Sequence, residues 1–342
     1  MNHTLFPEPI GVDGYQTLLG SCSDQERLRL SHGILVRKYT VANISTVGPS
    51  LKFVLTHNSV DNFLGTVGRN WRHSGLHKLA FAGSPVNLVT YTDDQGRDYD
   101  FELVSGNWQL TADSYFLRMT LTQVSSTWEL AEFGDGSKIV FDSSGVMQSI
   151  VDKHSQALTF HYTSGLLTSI EEPTGRELVL TYTSGLLTKV TDPKGLETTF
   201  GYDGNSNLTS IVSPEGCELG YGYAPSSTNG LITTRTDANS NTYTYTYDGD
   251  KKLLTVTNPQ SKVLTYSYGV VTERTTTPDL GGTRSFSRTL LNDADGHSWD
   301  YRFDNFGNLW RVVDPLLHCK RLFWSNQQDL LNVGEGYGKS RA

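Results

Sequence analysis

Hydrophobic and polar positions alternate with a period of two along much of the chain. The clearest case is Thr242-Tyr243-Thr244-Tyr245-Thr246-Tyr247, which would set tyrosines on one face of a strand and threonines on the other. The alternating runs stop at residues that favour turns. Asp192-Pro193-Lys194-Gly195 puts Asp at i, Pro at i+1 and Gly at i+3, the pattern of a type I turn, and Glu172-Pro173-Thr174-Gly175 and Ser213-Pro214-Glu215-Gly216 are cognate. A second kind of stop, Asp203-Gly204 or Asp248-Gly249, is expected to supply the positive φ of a hairpin turn. The pattern predicts hairpin after hairpin, with strands of about 5 to 7 residues.

These hairpins repeat. Tyr162-Thr163-Ser164-Gly165-Leu166-Leu167-Thr168 recurs unchanged as Tyr182-Thr183-Ser184-Gly185-Leu186-Leu187-Thr188, 20 residues on, and a divergent copy opens at Tyr202-Asp203-Gly204. Aromatic residues extend the series from Phe141 to Tyr223, Tyr247 and Tyr268, then more loosely to Phe286, Phe303-Asp304 and Trp324. A fixed period of this length is the mark of stacked supersecondary units, each burying its apolar side on its neighbours. The repeat-defining residues are therefore Tyr162, Gly165, Pro173, Gly175, Tyr182, Gly185, Asp192, Pro193, Gly195, Tyr202, Asp203, Tyr247, Asp248, Phe303 and Asp304.

Composition narrows the function. Only 37% of residues are hydrophobic and 33 are glycine, which suits thin sheets better than one thick core. A net charge of -8 without a basic cluster argues against nucleic acid as a partner. No apolar run is long enough to span a bilayer, and the first residues do not read as a secretion signal. Cys22, Cys217 and Cys319 are odd in number and widely spaced, so isolated thiols are expected.

Candidate chemistry is sparse. The tail Gly334-Glu335-Gly336-Tyr337-Gly338-Lys339-Ser340 has Val333 where a phosphate loop needs its first glycine. Asp293-Ala294-Asp295-Gly296-His297 opens like a calcium loop but lacks the later ligands, so it reads as a turn. His57, His73 and His77 lack metal-ligand spacing and read as structural or surface histidines. No nucleophile motif, dinucleotide fingerprint, cofactor site or catalytic residue is evident, and the chain is expected to be no enzyme.

Tyr202-Asp203-Gly204-Asn205-Ser206-Asn207-Leu208 and Phe303-Asp304-Asn305-Phe306-Gly307-Asn308-Leu309 resemble the YD repeat of the Rhs family. That family includes bacterial Rhs polymorphic toxins, the B and C subunits of Tc toxins and the teneurins. Upstream, Leu51–Ser59, Gly65 and Gly68–His73 are similar to the segment that opens many bacterial Rhs shells, with His57 and Asn70 departing from its usual form. Asp94–Phe101 and Asp135–Asp142 fit the hairpins that follow. The resemblance implies an all-β fold of tandem hairpins forming a spiralling antiparallel sheet, a partial cocoon or solenoid, which in bacteria encloses a toxic polypeptide. It implies an N-terminal extension over residues 1–45, partly irregular, an Rhs-type β region over 46–130 and hairpin repeats over 131–342. No segment like the family's self-cleaving core is present, so self-processing is not expected.

The expected function is thus a structural segment of a β-shell serving toxin encapsulation or delivery. Its partners would be an enclosed polypeptide, other shell subunits, or a second copy through open sheet edges. The alternative is a secreted or cell-surface binding module, gripping glycans or a protein through Trp310, Trp324 and exposed tyrosine ladders, or a fibre component.

Overall fold

In the computed structural model, residues 15–21, 24–111, 119–132, 136–224, 229–275, 282–324 and 330–337 are described. Every regular element among them is a strand, and no helix crosses a membrane's thickness. The fold is all-β and built of tandem antiparallel hairpins. The chain divides into two compact units, Lys38–Leu219 with Thr228–Gly230, and Met1–Arg37 with Gly220–Ser227 and Leu231–Ala342.

In the first of these units, strands from Lys78–Ala82 through Leu208–Val212 each pair antiparallel with the next in sequence. Burial alternates along them, as in Glu177–Thr183, where Leu178 and Leu180 are buried and Val179 and Thr181 exposed. The apolar face is covered by an upstream segment of the same unit. Thr66 O accepts the Leu187 N–H at 2.7 Å, and Gly75 lies so close to Leu167 that an added Cβ would come within 2.8 Å of it.

The other unit repeats the plan from Ile232–Thr236 to His318–Trp324. Here the N-terminal residues do the covering. Leu28, Leu30 and Leu35 join Tyr245, Leu253, Tyr266, Leu291, Tyr301 and Phe303 in one buried cluster, and Thr289 Oγ1 donates to Leu30 O at 2.6 Å. Tyr15–Ser21, Asp24–Arg29 and Ile34–Ile44 are strands within the segment read from sequence as a partly irregular extension.

Two devices recur from hairpin to hairpin. The first is a register slip immediately before the repeat aromatic, at Phe141, Tyr162, Tyr182 and Tyr202 in one unit and at Tyr223, Tyr247 and Phe303 in the other. An extra residue in one strand raises the local twist and bends it. The second is a shared turn. Asp192 O accepts the Gly195 N–H at 2.9 Å, its N–H donates to Leu196 O at 2.9 Å, and its Oδ1 accepts the N–H groups of Lys194 and Leu196 at 2.8 and 2.9 Å.

Asp203 builds the same turn, and this corrects the sequence reading of Asp203-Gly204. The left-handed residue is not the glycine after the aspartate but the third residue on, Ser206 at φ 62°, and after Asp248 it is Lys251 at φ 63°. A type I turn followed by a left-handed residue puts the positive φ there, whereas a two-residue hairpin puts it next to the aspartate. True two-residue turns do occur, at Ser164-Gly165 and Ser184-Gly185, where both residues have positive φ.

Gly195 occupies the left-handed position at φ 80°, with open space where a Cβ would go. Gly195→Ala is therefore expected to cost about 1–2 kcal/mol through backbone conformation alone, read as a lower urea midpoint. Ser240→Gly, at φ 62°, is expected to shift the midpoint the other way.

Candidate functional site

The repeat tyrosines are struts between hairpins. Tyr182, Tyr202, Tyr247 and Tyr268 donate their phenol hydrogens to Leu167, Leu187, Ile232 and Leu253 carbonyls at 2.7, 2.7, 2.9 and 2.6 Å, each time to the residue fifteen positions earlier. Burial, with a smaller contribution from Asp142, pushes the Tyr162 phenol up to about 12, and burial likewise raises Tyr182 and Tyr247. Tyr182 and Tyr247 thus stay protonated donors. Tyr182→Phe is expected to leave the Leu167 carbonyl without this donor and to cost about 1–2 kcal/mol in chemical denaturation.

The other repeat residues sit at the turns. Gly165 and Gly185 have positive φ in the two-residue turns, and Gly175 and Gly195 are left-handed. Pro173 and Pro193 follow the turn acceptors Glu172 and Asp192. Asp248 Oδ1 accepts the Asp250 and Lys252 N–H groups, and Asp304 Oδ1 those of Phe306 and Asn308. Phe303 is fully buried. Burial opposes ionisation of Asp203, but hydrogen bonds from Asn207 and Asn205 outweigh it and lower its pKa. In Glu172 the bond from Arg176 dominates, against a burial penalty, and holds the carboxyl down to about 2. The calcium-like run is one of these turns, with Asp293 Oδ1 accepting from the Asp295 and His297 N–H groups.

The three grouped histidines are spent separately. His57 Nε2 lies 2.8 Å from Gly230 O, His73 Nδ1 accepts the Gly75 N–H at 3.1 Å, and His77 Nδ1 lies 2.7 Å from Tyr91 Oη. Burial, aided by His77, lowers the His73 pKa to about 3.

One cluster was missed by the sequence reading. Glu26 and Arg37 form a fully buried ion pair, Nη1 to Oε2 at 2.8 Å, within the unit that holds the hairpins from Ile232 onward. Tyr245 donates to Glu26 Oε2 at 2.9 Å, and the Arg37 guanidinium lies 4.4 Å from the centre of its ring. Burial raises the Tyr245 phenol well above its ordinary value despite Arg37, so it remains a donor. The 219-residue separation of Tyr245 and Glu26 leaves no local trace in the sequence.

Some of the aromatics expected to grip glycans pack against neighbours in their own unit. Trp310 stacks on Phe286 with ring centres 4.1 Å apart, and the Arg321 guanidinium lies 5.8 Å from its ring centre. Tyr245 in the alternating tract is buried in the core. The Trp324 side chain and residues 338–342 lie outside the described residues. Cys217 is disulfide-bonded, contrary to the expectation of isolated thiols, because a disulfide needs proximity in the fold, which sequence spacing does not record. Cys319 is free, and Cys22 lies outside the described residues.

Tandem hairpins with a shared aspartate turn, a slip at the aromatic and a tyrosine strut define a β-hairpin repeat protein. The RHS Repeat family model matches residues 182–216 and 227–263, a tract that carries these devices. These two stretches of the chain are Rhs repeats.

No curated protein matches the sequence. Among solved structures it is similar to TcdB2-TccC3-TEV, with 8% identity, a TM-score of 0.36, and coverage of 90% of this chain and 22% of that one. It is also similar to TcdB2-TccC3-Cdc42 (12% identity, TM-score 0.34, 96% and 19%) and to TcdB2-TccC3 (13%, 0.33, 94% and 19%). The chain thus spans about a fifth of the length of these structures. At such TM-scores the fold rests on the chain's own strand pairings.

Proposed function

We propose that this chain is a non-enzymatic segment of an Rhs-type β-shell, a wall that shields a toxic polypeptide or takes part in its delivery outside the producing cell. The observation that carries the reading is the repetition of one wall-building unit. The same turn, register slip and tyrosine strut recur through the Rhs-matched tract, so the repeat residues named from sequence are assigned to construction. Partners of the same kind, other shell subunits or a second copy, would add strands at a sheet edge.

The test is purification of the protein as its producing cells make it, followed by protease digestion. A co-purifying polypeptide that resists digestion until the repeat wall is cut supports shielding. A polypeptide digested as fast with the chain as without it, or a chain that carries none, contradicts it.

A further inference from the structure

Glu171 and Glu177 stand directly opposite one another on neighbouring antiparallel strands, Leu166–Glu171 and Glu177–Thr183. From the other side, His161 of Ala157–Thr163 reaches the same place, with Nε2 3.0 Å from Glu171 Oε2. One ligand atom from each of the three side chains lies within 4.8 Å of the others. Carboxylates facing each other across a ladder repel, so the arrangement favours a cation.

The next hairpin unit provides an internal comparison. Twenty residues on, the same three positions are Thr181, Thr191 and Glu197. There the single carboxylate is met by Lys189, whose Nζ lies 2.7 Å from Glu197 Oε1. The counterpart of Lys189 is the uncharged Ser169. Between two units that share seven identical residues in a row, a lysine–glutamate pair in one is replaced by an imidazole and two carboxylates in the other.

An imidazole nitrogen with two carboxylate oxygens suits divalent first-row metals, zinc among them. Tetrahedral zinc with ligands at about 2.0–2.2 Å sets its donors roughly 3.3 Å apart, near the 3.0 Å separation of His161 Nε2 and Glu171 Oε2. We propose that His161, Glu171 and Glu177 form a site for a divalent transition metal of the zinc class, which ties three adjacent strands together at the sheet surface. Water completes the coordination, and the metal removes the repulsion between the facing glutamates.

The test is isothermal titration of the tag-free chain with zinc chloride, alongside the variant His161→Thr/Glu171→Thr, which adopts the residues of the next unit. Saturable binding of one ion per chain at this site, weakened at least tenfold in the variant with an unchanged circular dichroism spectrum, is the expected result. No saturable binding to the wild type, or equal binding to the variant, overturns the proposal. Should the double variant fail to fold, Glu171→Gln keeps the shape and is read by the same outcomes.

Discussion

Arg37→Met is expected to destabilise the protein by about 3–5 kcal/mol, because it leaves the Glu26 carboxylate buried without its guanidinium. The double variant Arg37→Met/Glu26→Leu is expected to recover most of that loss. With both charges gone, the desolvation penalty goes too, and what remains is mainly the Tyr245 hydroxyl without its acceptor, about 1–3 kcal/mol. A double-mutant cycle by urea unfolding measures the coupling directly. Single variants that cost less than about 1 kcal/mol would mean that this pair is hydrated in solution. The consequence is structural, since the pair fixes the N-terminal residues over the hairpins they cover.

Mild acid is expected to destabilise the protein before its carboxylates protonate. The His73 pKa is lowered to about 3 from an ordinary 6.5, so the folded state keeps this ring neutral while the unfolded state takes up a proton. Stability from this group is complete above pH 6.5 and declines as the pH falls toward 3, by about 2 kcal/mol at pH 5. The carboxylate contribution has the same sign but begins lower. Glu172, held down to about 2 from 4.5, loses its share as the pH falls below 4.5. Unfolding midpoints between pH 7 and 5 should therefore slope downward in the wild type. In His73→Asn, whose Oδ1 can accept the Gly75 N–H, the slope should flatten. A residual slope from His32 is expected, since burial, Arg29 and Lys252 lower its pKa too. An identical slope in the variant would remove His73 from the explanation.

The hairpin architecture was legible because turns are written in local chemistry. An aspartate that accepts two backbone N–H groups, a proline that presets φ and a glycine that tolerates the left-handed region all act within five residues, as at Asp192–Leu196. The reading failed where the same letters serve two turn types. Asp203-Gly204 invited a two-residue hairpin, while the backbone places its left-handed residue at Ser206. It also passed over Ser164-Gly165 as a turn, though that pair lies inside the most exact repeat.

What joins residues far apart in sequence stayed hidden. The tyrosines were visible as a period, but not that each phenol reaches a carbonyl fifteen residues back. Glu26, Arg37 and Tyr245 converge through packing of the N-terminal segment, which no local pattern records. His161, Glu171 and Glu177 became a group only once the strand register set them side by side.

Hydrogen exchange followed at single amides over residues 182–212 of one unit and 232–263 of the other tests most directly that each is built of tandem hairpins. The expected result is slow exchange in each strand, repeating from unit to unit, with the Asn205 and Asn207 amides also protected by the Asp203 carboxylate. Rapid exchange throughout either unit's hairpins, or protection confined to one hairpin, would contradict the tandem-hairpin ladders and with them the structural role.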